Sequence, residues 1–283
     1  TDRVITWFFY KCNKGKYMRS NSPFLNHNIE HLSVSKINAW ISNPASVLYA
    51  MAGGVDDFGP SAWRGKAVEE GFEKLMLSNN LSVEQVIQIS ESSFDTQIKW
   101  DGFTDEKINK ERKTIPDYVK AGYNHFSKLG EPTSCQKRIF YEFDELEIPF
   151  IGYIDFEFGK QGDFYHCIRD CKTSQFSLNN IKDSFGRQLA LYGASAGTDM
   201  TELWIDNVTR KSVQNLRLED PKMYLENIVK VALGFRKFLS ISGDIEELLS
   251  MIQPDLDDWR WANSKTKKQA KQIWRLDYDG EQY

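Results

Sequence analysis

Three polar side chains stand where a purely structural pair of strands would carry Val, Ile or Thr: Asp155 in GYIDFEFG, and Asp170 and Lys172 in HCIRDCKT. A charged group on an inward strand position is costly unless it is paired, hydrogen-bonded or ligated. Residues two apart on a strand share a face, so Asp170 and Lys172 are neighbours about 7 Å apart at about 3.3 Å per residue. If Asp155 meets Asp170, their mutual repulsion calls for a cation. Hard oxygen donors without His or Cys suit Mg²⁺ or Mn²⁺ better than zinc. Such an ion lowers the pKa of a bound water and offsets charge on a phosphate. Lys172 could orient that water and stabilise developing negative charge. Taken alone, D-x-K reads as readily as an ion pair on an exposed sheet face.

The elements around these residues follow from periodicity. LSVSKINAWISNPASVLYAM (32–51) reads as helical, capped by Ser33 or Ser35 and broken at Asn43-Pro44. In SAWRGKAVEEGFEKLML (61–77), Ala67, Val68, Phe72, Leu75 and Met76 recur at helical spacing. Residues 82–130 look mostly helical and charged, an arm over the core. From Gln136 to Phe158 the period becomes β-like. Ile151, Tyr153, Asp155 and Glu157 are expected on one face, and Phe150, Gly152, Ile154, Phe156 and Phe158 on the other. GKQGD (159–163) reads as a turn and 164–173 as the returning strand. A symmetric turn there sets Asp155 opposite about residue 167 and leaves Asp170 displaced by roughly 10 Å. The carboxylates then meet only if the hairpin is asymmetric, bulged or strongly twisted. A helix over 178–197, a hairpin around Thr209-Arg210-Lys211 and an amphipathic helix from Pro221 to Ser240 complete the pattern. The sum predicts an α/β fold, a mixed central sheet with helices on its faces.

These segments carry strings that resemble the PD-(D/E)XK nuclease superfamily, in its RecB-like exonuclease branch. The branch reads G-x-x-D, then D-x-K-T, then Q-x-x-x-Y; here these are Gly152 to Asp155, Asp170 to Thr173 and Gln188 to Tyr192. An upstream R-G-x-x-x-(H/E) is matched by Arg64 to Glu69, and an opening S-x-S-x-(I/L) by Ser33 to Ile37. The resemblance spans about residues 32–218 and implies a restriction-endonuclease-like core with a helical insertion at about 78–130. It implies that Glu69, Asp155 and Asp170 hold Mg²⁺ or Mn²⁺, with the Cys171 backbone carbonyl a further ligand, and that Lys172 positions the attacking water. Many members carry His at the Glu69 position, and Glu73, one turn later, is its main competitor here. Gln188 and Tyr192, at i and i+4 on one helix face, would point at the nucleic acid, as would Arg64. The implied function is a metal-dependent DNA nuclease, an exonuclease by its branch, serving recombination, repair or phage DNA processing. The alternative is a catalytically silent nucleic-acid-binding subunit that uses the fold as a scaffold in a larger complex. Ring-forming relatives thread DNA, so a homo-oligomer or a recombination or replication partner protein stays open.

Composition sets limits on this reading. With 283 residues and 41% hydrophobic content the chain can bury a full core. No stretch approaches the roughly 20 apolar residues of a membrane span, so no membrane partner is expected. Cys12, Cys135, Cys167 and Cys171 contain no CxxC pair, which argues against a zinc ribbon or a disulfide scaffold. Free thiols in a reducing cytoplasm are expected, bacterial or, for a phage-encoded chain, the host's. Some relatives hold an iron–sulfur cluster through three late cysteines. None follows Cys171, so no such cluster is expected. His166 and Cys167 read as strand packing. The net charge of −4 gives no global sign of nucleic-acid binding. Residues 260–275 nevertheless carry Arg260, Lys265, Lys267, Lys268, Lys271 and Arg275 with no acid, beside Trp259, Trp261 and Trp274. This segment (about 259–276) reads either as an amphipathic helix packing its Trp residues on the body or as a basic, aromatic strip contacting DNA, with Lys265 and Lys268 at its centre. Residues 1–31 read as an N-terminal lead open to disorder, with Met18 a candidate start, and 32–283 as a single domain.

Overall fold

A computed structural model describes residues 22–55, 59–78, 80–98, 103–160, 165–197 and 200–276. The lead before residue 22, with Met18 and Cys12, and the inner part of the GKQGD turn lie outside the described residues. Residues 22–31, expected in the lead, belong to the packed body: they carry α1 (Pro23–Asn26), and Phe24 and Ile29 are buried. Leu32 N–H donates to Pro149 O (2.9 Å) and Leu32 O accepts from Ile151 N–H (2.8 Å), stitching the incoming chain to the first residues of β2 (Phe150–Gly159).

Local chemistry sets the helix ends. Ser33 Oγ accepts the Lys36 N–H (3.2 Å) and starts α2 (Val34–Ser42). Asn43 ends α2 and caps α3 (Pro44–Met51), where Pro44 occupies the first turn that tolerates it. Then follow α4 (Gly59–Ser78), α5 (Val83–Gln97) behind a Ser82/Gln85 capping box, α6 (Asp105–Arg112) and α7 (Ile115–Leu129). The arm is clamped to α4 by Phe72 stacked on Phe126 (centroids 4.1 Å apart). Burying a ring of this size contributes about 1.5–3 kcal/mol.

The strands β1 (Ser134–Tyr141), β2, β3 (His166–Thr173), β4 (Thr201–Val208) and β5 (Val213–Arg217) form one sheet in chain order. Only β3 and β4 run parallel, joined over the sheet by α8 (Asp183–Ala196). This helix begins five residues later than periodicity suggests. Leu178 is held instead by Gln214 of β5, whose amide bonds both its N–H (2.7 Å) and its C=O (3.1 Å). Downstream lie α9 (Lys222–Leu239), α10 (Ile245–Ser250), a 3₁₀ turn (Trp259–Trp261) and α11 (Ser264–Ile273). One apolar core joins the sheet to α2, α3, α8, α9 and the C-terminal Trp261 and Trp274; a second joins it to α4, α5 and α7. Covered on both faces, β3 is buried over its first six residues, as a strand inside a two-sided sandwich must be. Among the described residues no helix is long and apolar enough to cross a membrane.

Two details of the hairpin depart from the sequence expectation. The described β2–β3 pairing runs from Gly159↔His166 to Phe156↔Arg169, so the connection is residues 160–165, longer than the turn at 159–163. That register aligns Asp155 with Asp170 without any bulge in β3. Face alternation also breaks: Ile154 packs in the first core and Phe156 in the second, where strict alternation puts both on one side. The neighbouring strand distorts at the same level, at Gln136, whose φ is 48°. Asp155 therefore leaves the sheet where the two cores meet.

Candidate active site

Asp155 sits one residue past the end of the β2–β3 ladder, and its side chain continues that ladder. Asp155 Oδ2 accepts the Cys171 N–H at 3.0 Å. Its other oxygen faces Gln136 Nε2 (3.5 Å), and the same amide donates to Glu69 Oε1, so one Gln side chain spans the carboxylates of α4 and β2. From β3, Lys172 Nζ lies 2.5 Å from Asp170 Oδ2 as an ion pair. Asp170 is fully buried, and neither of its oxygens has a partner of hydrogen-bond geometry among the described residues. Glu69, Asp155, Asp170 and Lys172 thus gather from three elements. Glu73 does not join them: it contacts Lys74 (3.4 Å), while Glu70 accepts from Ser93 Oγ of α5 (2.6 Å).

The electrostatics of the cluster are strained in the direction a cation would relieve. Burial pushes the Glu69 carboxyl up to about 7, the Asp170 charge adding to this and the Lys172 ammonium opposing it. Burial raises Asp155 well above the usual carboxylate range, with Asp170 and Glu69 adding and Lys172 and the Cys171 N–H opposing. For Lys172, burial alone would favour the neutral amine, but Asp170 and Asp155 outweigh it and hold the ammonium charged.

The donors here are hard oxygens, and the buried Asp170 carboxylate has only the Lys172 ammonium beside it among the described residues. That chemistry fits Mg²⁺ or Mn²⁺. Glu69, Asp155 and Asp170 are the residues that could hold the ion. Among the described residues no three His, Cys, Asp or Glu side chains already stand at the spacing of one ion's ligands. The Gln136 amide lies between two of these carboxylates, and Lys172 lies on the third. Cys171 contributes its N–H, while its thiol is buried in the second core and pushed well above its usual pKa by that burial.

The short strings singled out in the sequence touch one another. A Cβ on Gly152 would stand 2.9 Å from Tyr192 Cε1, so only glycine lets α8 lie this close to β2. A Cβ on Gly65 would meet Thr173 Oγ1 at 3.1 Å, and Arg64 Nη2 reaches the same hydroxyl at 3.4 Å. Arg64 is buried, pairs with Glu111 of α6 and lies over the Tyr118 ring (4.5 Å). Gln188 Nε2 donates to Tyr192 Oη (2.6 Å), and the phenol's pKa is raised mainly by burial.

A cleft of about 1550 Å³ opens over the cluster; Arg64, Glu69, Asp155, Lys172, Gln188 and Tyr192 all line it. Lys265 and Lys268 are exposed on α11 and are not among its lining residues. His166 is fully buried between Glu157 Oε1 and Thr201 Oγ1, both at 2.9 Å. Cys167 is buried in the same strand. Sequence reasoning missed Gln136, whose signal was positional: it lies between the paired positions that flank Asp155. It also missed Glu111, which no local pattern links to Arg64.

No protein-family model matches the chain, and no curated protein matches it. Among solved structures it is similar to one titled "Crystal structure of SSO0001", at 13% identity and a TM-score of 0.34, covering 69% of this chain and 95% of that one.

Proposed function

We propose that this chain is a metal-dependent DNA nuclease of the kind its motifs resemble, a PD-(D/E)XK enzyme of the RecB-like branch. One observation carries the reading. Glu69, Asp155 and Lys172, distant in sequence, line one cleft, and beneath them the buried Asp170 carboxylate has the Lys172 ammonium as its close partner among the described residues. The pairwise contacts Gly65–Thr173 and Gly152–Tyr192 support it, because they join strings that lie far apart in the chain.

In this reading a bound Mg²⁺ or Mn²⁺ supplies Lewis acidity toward the phosphate and acidifies water. Glu69, Asp155 and Asp170 would hold it. The Lys172 ammonium, beside Asp170 at the cleft, would orient the attacking water and stabilise charge on the phosphate. Gln188 and Tyr192, bonded to each other on the cleft wall, present an amide and a phenol to the backbone beside the scissile bond. Water adds across one P–O bond, leaving a phosphate monoester and a hydroxyl.

The test is an end-labelled panel of blunt, tailed, single-stranded and circular DNA with each metal. Wild-type protein is expected to degrade at least one substrate, and Asp170→Ala and Lys172→Ala to abolish this. DNA left intact with both metals overturns the proposal. Binding without cleavage, unchanged by Asp155→Ala, would favour a silent scaffold instead.

A further inference from the structure

The cleft that holds the acids also holds an aromatic side chain that hydrolysis does not need. Trp259 is 72% exposed, whereas its neighbours Trp261 and Trp274 are 2% and 8% exposed. Trp is among the more buried residue types on average, so an indole held out to solvent calls for an explanation. This one is fixed in place. It opens the 3₁₀ turn, which is capped by Asp258 Oδ1 on the Arg260 N–H (2.9 Å). Trp261, in the same turn, is pinned edge-on to Tyr49 (5.3 Å) and Trp274 (6.3 Å). The Arg260 guanidinium lies 4.6 Å from the Trp259 ring and is itself held by Asp258 (3.1 Å) and Ser42 Oγ (2.8 Å). One indole is buried to anchor the turn, and the other is presented to the cleft on a guanidinium backing.

The rest of the cleft supplies charge. Lys66, Lys107, Lys110 and Arg138 line it, all exposed, and none has an acidic partner among the described residues. With Arg64, Lys172 and Arg260 this makes seven cationic residues against Glu69, Glu111 and Asp155, in a chain whose net charge is −4. Tyr153, 52% exposed and paired with Arg138 across β1 and β2, lines it as well. Unneutralised cations track phosphates, and aromatic faces stack bases. Base faces are hidden inside a duplex and open only in an unpaired strand.

We infer that the cleft is built for single-stranded DNA, with a base stacked on Trp259 and the backbone followed by Lys66, Lys107, Lys110 and Arg138. The inference rests on the nuclease reading for what happens to the strand, but not for how the strand is bound.

The test uses the full chain in EDTA, so that no cleavage occurs, with a labelled single strand, a blunt duplex of equal length and an abasic strand. The expected result is tighter binding of the single strand than of the duplex. Trp259→Ala should weaken single-strand binding about 5- to 150-fold, the range expected for loss of one base stack. Trp259→Phe should keep most of the affinity, and binding of the abasic strand should be little changed by either substitution. Equal single-strand affinity for wild type and Trp259→Ala overturns the inference, as does an equal loss on all three probes. If no metal supports cleavage but binding still depends on Trp259 in this way, the nuclease reading fails and this one stands. Cleavage together with Trp259-independent binding overturns the single-strand inference and leaves the nuclease reading in place.

Discussion

At the scale of single residues, burial raises the carboxyls of Glu69 and Asp155, so that each holds a proton it would surrender to a metal. Glu69 titrates at about 7 in the folded chain, against about 4.3 unfolded. A raised carboxyl favours the folded state fully below the unfolded value, and that contribution is lost as pH rises through about 7. Without metal, the protein should therefore lose stability across this window, with Asp155 acting in the same direction. A divalent ion must displace the protons, so its affinity should climb with pH over the same range. Calorimetric titration of Mg²⁺ in two buffers of different ionisation heat measures the release; identical heats would refute it. Gly152→Ala should cost about 1–3 kcal/mol in thermal unfolding, because the new methyl presses on Tyr192. Asp155, Asp170 and Lys172 were legible in the sequence because their types are costly on strands, whereas Glu69, on α4, was reached only through the string it resembles. Gln136 was not, since its role arises from a cross-strand position and a left-handed backbone that no local pattern announces.

At the scale of elements, the arm is tied to β3. Glu111 of α6 holds Arg64 of α4, which reaches Thr173 at the end of β3, and Tyr118 of α7 donates to Ser174 O (3.1 Å). Both partners of the Arg64–Glu111 pair are largely shielded from water. Glu111→Ala strands a buried guanidinium and should lower stability by about 3–5 kcal/mol, whereas Arg64→Met with Glu111→Leu should restore most of it. Chemical denaturation of the two variants decides the point, and equal losses in both would show that the pair's charge is not what matters. Some element ends were readable, since Ser33, Asn43 and Gly197 act at helix ends as their side chains or backbone dictate. The hairpin was misjudged because a Gly-rich string marks a turn without fixing how many residues the connection takes. The start of α8 was misjudged because Gln214, far along the chain, claims the backbone of Leu178.

For the whole molecule, charge is distributed against the average: an acidic chain carries a cationic cleft. If four unpaired cations each meet a phosphate of a single strand, the logarithm of affinity should fall with the logarithm of salt at a slope of about −3. A slope near zero would mean that the cleft does not follow the backbone. The α/β class was legible from the order of helices and strands. The division into two cores was not, because it depends on the break between Ile154 and Phe156, where strand periodicity says both side chains share a face. The basic C-terminal stretch fits neither of its two sequence readings in full. Two of its Trp residues are anchors and the third is presented to the cleft.

The bond from the Cys171 amide to the Asp155 carboxylate bears on how such a chain could be disarmed. Asp155 lines the cleft, and its Oδ2 finishes the zip between two central strands. Alanine at this position would unfasten the zip as well as remove the charge. Asparagine keeps an oxygen for the amide and discards only the anion. If the proposed nuclease reading holds, a descendant that had given up cutting and kept its shape would be expected to carry an amide here, and that one substitution would mark a retired copy by its sequence.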